Sequence, residues 1–379
     1  MKTLSKSNFK HNYIHLNSTN QIILTFGRKE LYDEEKEYIH HLIQDNSLDW
    51  QVIISKAYNH GLIPLLYTHL NNFNKIANIN IPQDVYNQLR DLFYNNAQRS
   101  LRLTAELITL LKLLQAQNIP AIPYKGAALA NLLYGNVSLR QFCDIDIIVQ
   151  PQDILKFKQI LISQGYEPQV SLTAKEERQY LQDKSKHTYN FIHHQKQIMV
   201  EVHWRITPQY TSPLASPYIW QNLEFIKMGG IEVPTFSAEN WLLFLCAHGS
   251  RHRWEKLCWL ADIGELIRQN PGISWQKIIQ TATEFDCRRI LFVGLFLTHS
   301  LIGISLPQEV WQSITEDKEV AILASEICQD LLDEKKHHHK IMQNTFYYMR
   351  VREHLKNKLL YLELFLRWLM RDKGVLMDD

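Results

Sequence analysis

Cysteine is scarce: five among 379 residues, at positions 143, 246, 258, 287 and 328, odd in number and never spaced as C-x-x-C. That scatter excludes a disulfide framework and a thiolate zinc site, and it fits a reducing compartment. Charge of one sign is lacking too. Lys and Arg total 41 against 39 Asp and Glu, a formal net charge of +2 with no long block of either sign. Such a balance gives no long-range pull toward nucleic acid or an anionic membrane, and the basic stripe of a polymer-binding protein is missing. The opening residues Met1-Lys-Thr-Leu-Ser-Lys6 lead into a polar stretch rather than an apolar signal segment, so the expected location is cytoplasmic. The longest uncharged run, from Ile290 to Gln308, contains Gly294, Thr298, His299, Ser300, Gly303, Ser305 and Pro307. It reads as a buried helix followed by a loop, not a membrane span. Neither a G-x-x-x-x-G-K-[ST] loop nor a kinase signature set occurs, which disfavours those phosphotransfer classes.

What is present is ample core material, 45% hydrophobic and 21% charged, on a chain long enough for two or three domains. The first third reads as helices. Glu34 to Asp45 and Trp50 to Leu70 carry apolar residues at helical spacing, with Gly61 and Pro64 marking a break in the second. A run from Pro82 to Tyr94 is followed by the strongest helix, Ala97 to Gln117, where Leu101, Leu103, Leu107, Leu110, Leu111 and Leu114 make the apolar stripe. The period then changes. Ile119 to Tyr124 is short and extended, Lys125-Gly126 opens a helix to Tyr134, and Gly135-Asn136 stops it. Phe142 to Val149 is a strand by length and branching, and Pro151 to Gln164 a helix ended by Gly165. His187 to His193 and Ile198 to Ile206 form an antiparallel hairpin, and Ile231 to Phe236 is one more short strand. From Ser237 the chain is helical again. The expected architecture is α/β: a small mixed-sheet core at 101–236 between helical regions at 1–100 and 237–379.

The chemistry concentrates in Arg140-Gln-Phe-Cys-Asp144-Ile-Asp146-Ile-Ile-Val149. Carboxylates two apart on a strand share a face, and their repulsion calls for a cation or a proton. Mg²⁺ meets that need through one or two carboxylates, completing its shell with waters and substrate phosphates. A solvated strand face is the alternative for the Asp pair alone. Upstream, Gly126 lets backbone approach a phosphate at a helix start, and Lys125 adds a point charge for a triphosphate. Downstream, Glu201 lies on the polar face of the second hairpin strand, opposite Val200, Val202, Trp204 and Ile206. Three carboxylates from two strands facing a glycine-bearing turn suit phosphoryl transfer.

The stretches Lys125-Gly126-Ala-Ala-Leu129, Leu133-Tyr134-Gly135, Arg140, Asp144-Ile-Asp146-Ile-Ile-Val149 and Val200-Glu201-Val-His203-Trp204 resemble the nucleotidyltransferase superfamily related to DNA polymerase β. More narrowly they resemble a bacterial group known only as nucleotidyltransferase family proteins. That likeness extends from Asp49-Trp50 and His60-Gly-Leu-Ile-Pro64-Leu-Leu-Tyr67 through His248 to Trp254-Glu-Lys-Leu257-Cys-Trp-Leu-Ala-Asp262. Lys125-Gly126 replaces the wider superfamily's Gly-Ser or Gly-Gly, and its spacing to the Asp pair is longer. The resemblance implies that Asp144 and Asp146 bind Mg²⁺ or Mn²⁺, that Glu201 holds the catalytic ion, and that a nucleoside triphosphate is the co-substrate.

Several residues carry two readings. Arg140 clamps a triphosphate oxygen or pairs with the acidic face. His203 reaches the metal or acceptor, or gives a hydrogen bond from behind. His248 and His252 share a helix face and, with Asp262, suggest a second metal site, interdomain hydrogen bonds or a nucleotide-pocket lining. His60 fits a structural turn. Lys335 to Lys340, with His337, His338 and His339, fits a surface helix; Tyr347, Tyr348 and Trp368 fit helix packing. The expected function is transfer of a nucleoside monophosphate from a triphosphate to a hydroxyl acceptor, a small molecule, sugar, peptide or protein. Small molecules and peptides are favoured over nucleic acid, and no membrane is involved. The alternative is a non-catalytic nucleotide-binding or scaffolding module on the same fold.

Overall fold

The computed structural model describes residues 16–370 apart from 45–47, 78–80, 210, 213, 215–216 and 333–340. The opening Met1 to Lys6 and the Lys335 to Lys340 run lie outside the described residues, as does the side chain of Trp368. A five-stranded sheet lies at the centre, built from β1 (Ala121–Tyr124), β2 (Ile145–Val149), β3 (Glu167–Pro168), β4 (Thr188–His193) and β5 (Ile198–His203) in the order β1-β2-β5-β4-β3. Strands β2 and β5 run parallel, and the other neighbours antiparallel. The mixed α/β architecture expected from the sequence is present. Two details extend it. Ile231–Phe236 (β7) pairs not with the main sheet but with Leu223–Met228 (β6), a strand with no expectation behind it. Their two-residue turn, Gly229-Gly230, takes φ of 54° and 81°, the paired left-handed geometry of a tight hairpin. A Cβ on Gly229 would meet Ile108 at 2.1 Å, so the hairpin also docks closely on the long helix.

That helix is a second difference. The runs from Pro82 and from Ala97 are one 34-residue helix, Gln83–Ala116. The polar Asn95-Asn96 pair does not break it because Asn96 is buried and employed: its side-chain amide donates to the carbonyls of Ser138 (3.0 Å) and Arg140 (3.4 Å). Leu103, Leu107, Leu110, Leu111 and Leu114 are buried as the stripe requires, each contributing about 1.5–3 kcal/mol. Leu101 is 59% exposed, since two residues of helix turn it about 200° from Leu103.

The helix also crosses the expected boundary at residue 100, and the packing shows why three sequence regions become two cores. One core joins the later leucines of this helix to Ile145, Ile147, Val149, Val200, Val202 and Trp204 on one sheet face. The other joins Ile22, Ile39, Ile53 and Leu66 from the N-terminal helices with Trp241, Leu260, Leu291 and Leu323 from the C-terminal ones. The two ends of the chain therefore build one helical body. Its joints are polar as well: Lys56 donates to Asn20 Oδ1 (2.8 Å) and to the Leu332 carbonyl (3.1 Å), and the Cys258 amide to the His60 carbonyl (3.1 Å). His60 is the turn residue expected, followed by Gly61 at φ 71°. The Ile290 run forms Arg288–Leu297 and the wide turn Thr298–Ile302, largely buried. No helix among the described residues is long and apolar enough to cross a membrane.

Candidate active site at the end of the parallel strand pair

Register brings the polar side chains together. Tyr124 on β1, Asp146 on β2, Glu201 on β5 and Asn190 on β4 are successive cross-strand partners and so form one row on one sheet face. His203 follows Glu201 on that face. Its Nε2 lies 2.7 Å from Asp146 Oδ1 and 3.3 Å from Glu201 Oε2. Lys125 Nζ reaches the same Asp146 oxygen at 3.2 Å. Ligand atoms of Asp146, Glu201 and His203 lie within 4.8 Å of one another, and no other such trio occurs among the described residues.

Burial sets the electrostatics. Asp146 is 3% exposed, and burial alone would raise its carboxyl. The Lys125 ammonium and the His203 hydrogen bond outweigh that cost and hold it below the usual carboxylate range. Lys125 and His203 are raised in return: burial opposes their charge, and Asp146 more than restores it. Asp144 stands one residue before the strand. Burial and the neighbouring Asp146 charge push its carboxyl up to about 7, against the pull of Lys125. A carboxyl raised by burial and by a neighbouring carboxylate ionises more readily when a further positive charge is near.

The strand-to-helix turn is built for close approach. Lys125 and Gly126 both have positive φ, 48° and 35°, and the helix Gly126–Tyr134 that follows has no side-chain cap on its first amides. Free N–H groups and the positive helix end therefore sit beside the carboxylates. Gly126 faces the Asp144 carbonyl, which a Cβ would meet at 3.5 Å. The row also has unused capacity. The buried Tyr124 Oη, Asn190 Oδ1 and His203 Nδ1 have no partner.

Arg140 is placed elsewhere. Its guanidinium is buried against Asp262, with Nε 3.0 Å and Nη2 2.9 Å from Oδ2, and Tyr134 Oη donates to Asp262 Oδ1 at 3.0 Å. A bidentate pair of this kind leaves no fork for a triphosphate, so the clamp reading is corrected: Arg140 ties the Asp144 loop to the helical body. The same pairing removes Asp262 from His248 and His252, and the three do not form a metal site.

The helical body covers the polar face. Trp241 stacks on Tyr124 with ring centroids 5.7 Å apart and planes 10° from parallel. Further along the same helix, Ala238–Arg251, come His248 and Arg251, with His252 capping its end. The Arg251 charge bears on Tyr124, His187, His248 and His252. His187, whose ring lies 5.9 Å from that of His203, is a further neighbour. Neither Arg251 nor His187 is visible as a site residue from the sequence. Arg251 does carry a faint signal, since it lies between two histidines that share a helix face.

The donor set fits a divalent cation: the Asp146 and Glu201 carboxylates and the His203 imidazole converge within 4.8 Å, and Asp144 lies two residues before Asp146 without joining that trio. No curated protein matches the chain. A family profile described as uncharacterised nucleotidyltransferase matches residues 46–303, about two-thirds of the chain, taking in the helices from Trp50 onward, the whole sheet and the helices over its polar face. A match over more than half of its length shows the family, and the chain belongs to the uncharacterised nucleotidyltransferase family.

Proposed function

We propose that the protein is a metal-dependent nucleotidyltransferase that moves a nucleoside monophosphate from a nucleoside triphosphate to a hydroxyl acceptor. The convergence of Asp146, Glu201, His203 and Lys125 at one end of the parallel strand pair carries this reading. Asp144, Asp146 and Glu201 would hold Mg²⁺ or Mn²⁺. When bound, the cation would supply charge stabilisation for the entering and leaving oxygens.

The chain's own residues supply the rest. Amides at the start of Gly126–Tyr134 bind phosphate oxygens, and the Lys125 ammonium adds charge beside them. The acceptor oxygen attacks the α-phosphorus, the bond to the β-phosphate oxygen breaks, and pyrophosphate leaves. Glu201, 21% exposed at its side chain, would accept the hydroxyl proton. His203 orients Asp146 through the 2.7 Å contact and acts through it, which favours the hydrogen-bonding reading of that residue over a nucleotide contact. The near-neutral net charge favours a small molecule or a peptide as acceptor over nucleic acid.

The test is pyrophosphate release with each of the four triphosphates, Mg²⁺ or Mn²⁺, and a cell extract as acceptor source. Release by the wild type and none by Asp144→Asn is the expected result. Silence from the wild type with every nucleotide would favour a non-catalytic nucleotide-binding module.

A further inference from the structure

Three rings stand together on the helical wall of the site, and the reaction as described does not use them. His248 and His252 lie 4.8 Å apart, and Trp259 approaches them at 5.1 and 5.4 Å. All three are only half-buried, in a stretch where Trp254, Leu257, Cys258 and Leu260 are fully enclosed. Among the described residues neither imidazole has a carboxylate partner.

Two independent links place the cluster at the site. Trp259 lies one turn before Asp262 on the helix Leu257–Gln269, and Asp262 holds Arg140, four residues from Asp144. His248 lies two turns beyond Trp241, which stacks on Tyr124, the residue before Lys125. Burial, with the nearby Lys125 and Arg251 cations, holds both imidazoles neutral; His252 falls to about 3. Neutral rings do not compete with Lys125 for phosphate, and they offer faces and ring nitrogens instead.

We propose that His248, His252 and Trp259 form the nucleobase platform of the site, stacking on the base of the triphosphate whose phosphates lie at Lys125-Gly126. The proposal rests on the transferase reading and names the part of the substrate this wall receives. Base–aromatic stacking is strong enough to be read as a change in affinity of about tenfold per contact.

The experiment is calorimetric titration of the full chain with Mg²⁺ and each nucleoside triphosphate, against inorganic tripolyphosphate under the same conditions. The wild type is expected to bind at least one nucleotide about tenfold more tightly than tripolyphosphate. His252→Ala and Trp259→Ala should each weaken that nucleotide by about tenfold and leave tripolyphosphate unchanged, while Trp259→Phe keeps the affinity. Unchanged tripolyphosphate binding also certifies that the variants are folded. Equal wild-type affinity for nucleotide and tripolyphosphate would overturn the platform and leave the transferase reading standing. So would variants that weaken both ligands together, or that keep nucleotide affinity and raise only the acceptor KM. A wild type that binds neither ligand would remove the transferase reading and the platform with it.

Discussion

Two buried carboxylates in this molecule each hold a cation, and their surroundings differ in kind. Asp262 is fully enclosed, and its hydrogen bonds from Arg140 and Tyr134 are direct and complete. Asp146 is nearly as buried, yet its neighbours are left unfinished: Lys125 stays 14% exposed at its side chain, Glu201 21%, and three polar atoms in the row lack partners. A closed ion pair is a joint; an open one beside unsatisfied groups is a place where something else is meant to bind. Buried polar atoms are expensive to leave unpaired, so their accumulation around Asp146 and not around Asp262 separates chemistry from architecture.

The largest effect should come from separating these roles. Asp146→Asn is expected to lower pyrophosphate release by at least about a thousandfold, on the scale of lost transition-state electrostatics, while the thermal midpoint moves little. Activity retained with a collapsed midpoint would reverse the assignment. Asp262→Ala should do the opposite, costing about 3–5 kcal/mol in denaturant unfolding because Arg140 is left charged and buried. Adding Arg140→Met to that variant should recover much of the loss, since an apolar pair removes the stranded charge. Failure to recover would mean that Arg140 has a second partner of equal weight.

Acid bears on the buried histidines, among them His69 of the helical body. His69 is 7% exposed, its Nε2 lies 2.7 Å from the Arg28 carbonyl, and burial lowers it from 6.5 to about 4. Because the folded value lies below the unfolded one, the unfolded chain takes the proton first as pH falls. Its contribution is whole above about 6.5 and drains away between there and about 4, at about 1.4 kcal/mol per pH unit. His69→Gln should lower the slope of that part of the stability–pH curve by one proton's worth, the rest belonging to His60, His252 and the other histidines that burial lowers, and an unchanged slope would remove His69 from the acid response. The smallest effect is expected at Asn96→Ala, about 1–2 kcal/mol, from carbonyls of Ser138 and Arg140 left without their donor.

The same contrast shows what a sequence can carry. Alternation along two strands was enough to put Asp146, Glu201 and His203 on polar faces, because side-chain period is a local property. That β2 and β5 lie side by side, with Asp146 against Glu201, is a matter of register that only the pairing reveals. Arg140 shows the limit most clearly: nothing near it in sequence announces Asp262, 122 residues away. Strand β6 stays hidden because Leu223–Met228 alternates without the apolar density of a core strand, with Glu224, Phe225 and Lys227 exposed. Asn95-Asn96 looks like a helix stop until the carbonyls that employ Asn96 are seen. Arg251 reaches the site through the docking of its helix, which leaves no periodic trace, and His187 through the pairing of β4 with β5, a matter of register again.

The sharing of one core by the two ends of the chain sets an order of assembly. During synthesis the sheet, its crossover and the long helix emerge complete before Trp241, Leu260, Leu291 and Leu323 exist to meet Ile22, Ile39, Ile53 and Leu66. The four described helices before the long one must wait on the ribosome for partners more than 150 residues downstream, exposing apolar faces meanwhile, while the sheet unit between them can already be formed. The Asp146 and Glu201 carboxylates are thus present on a finished sheet before the wall over them closes. A nascent chain halted within the C-terminal helices carries an exposed charge cluster and a half-built helical body that needs shielding from other chains.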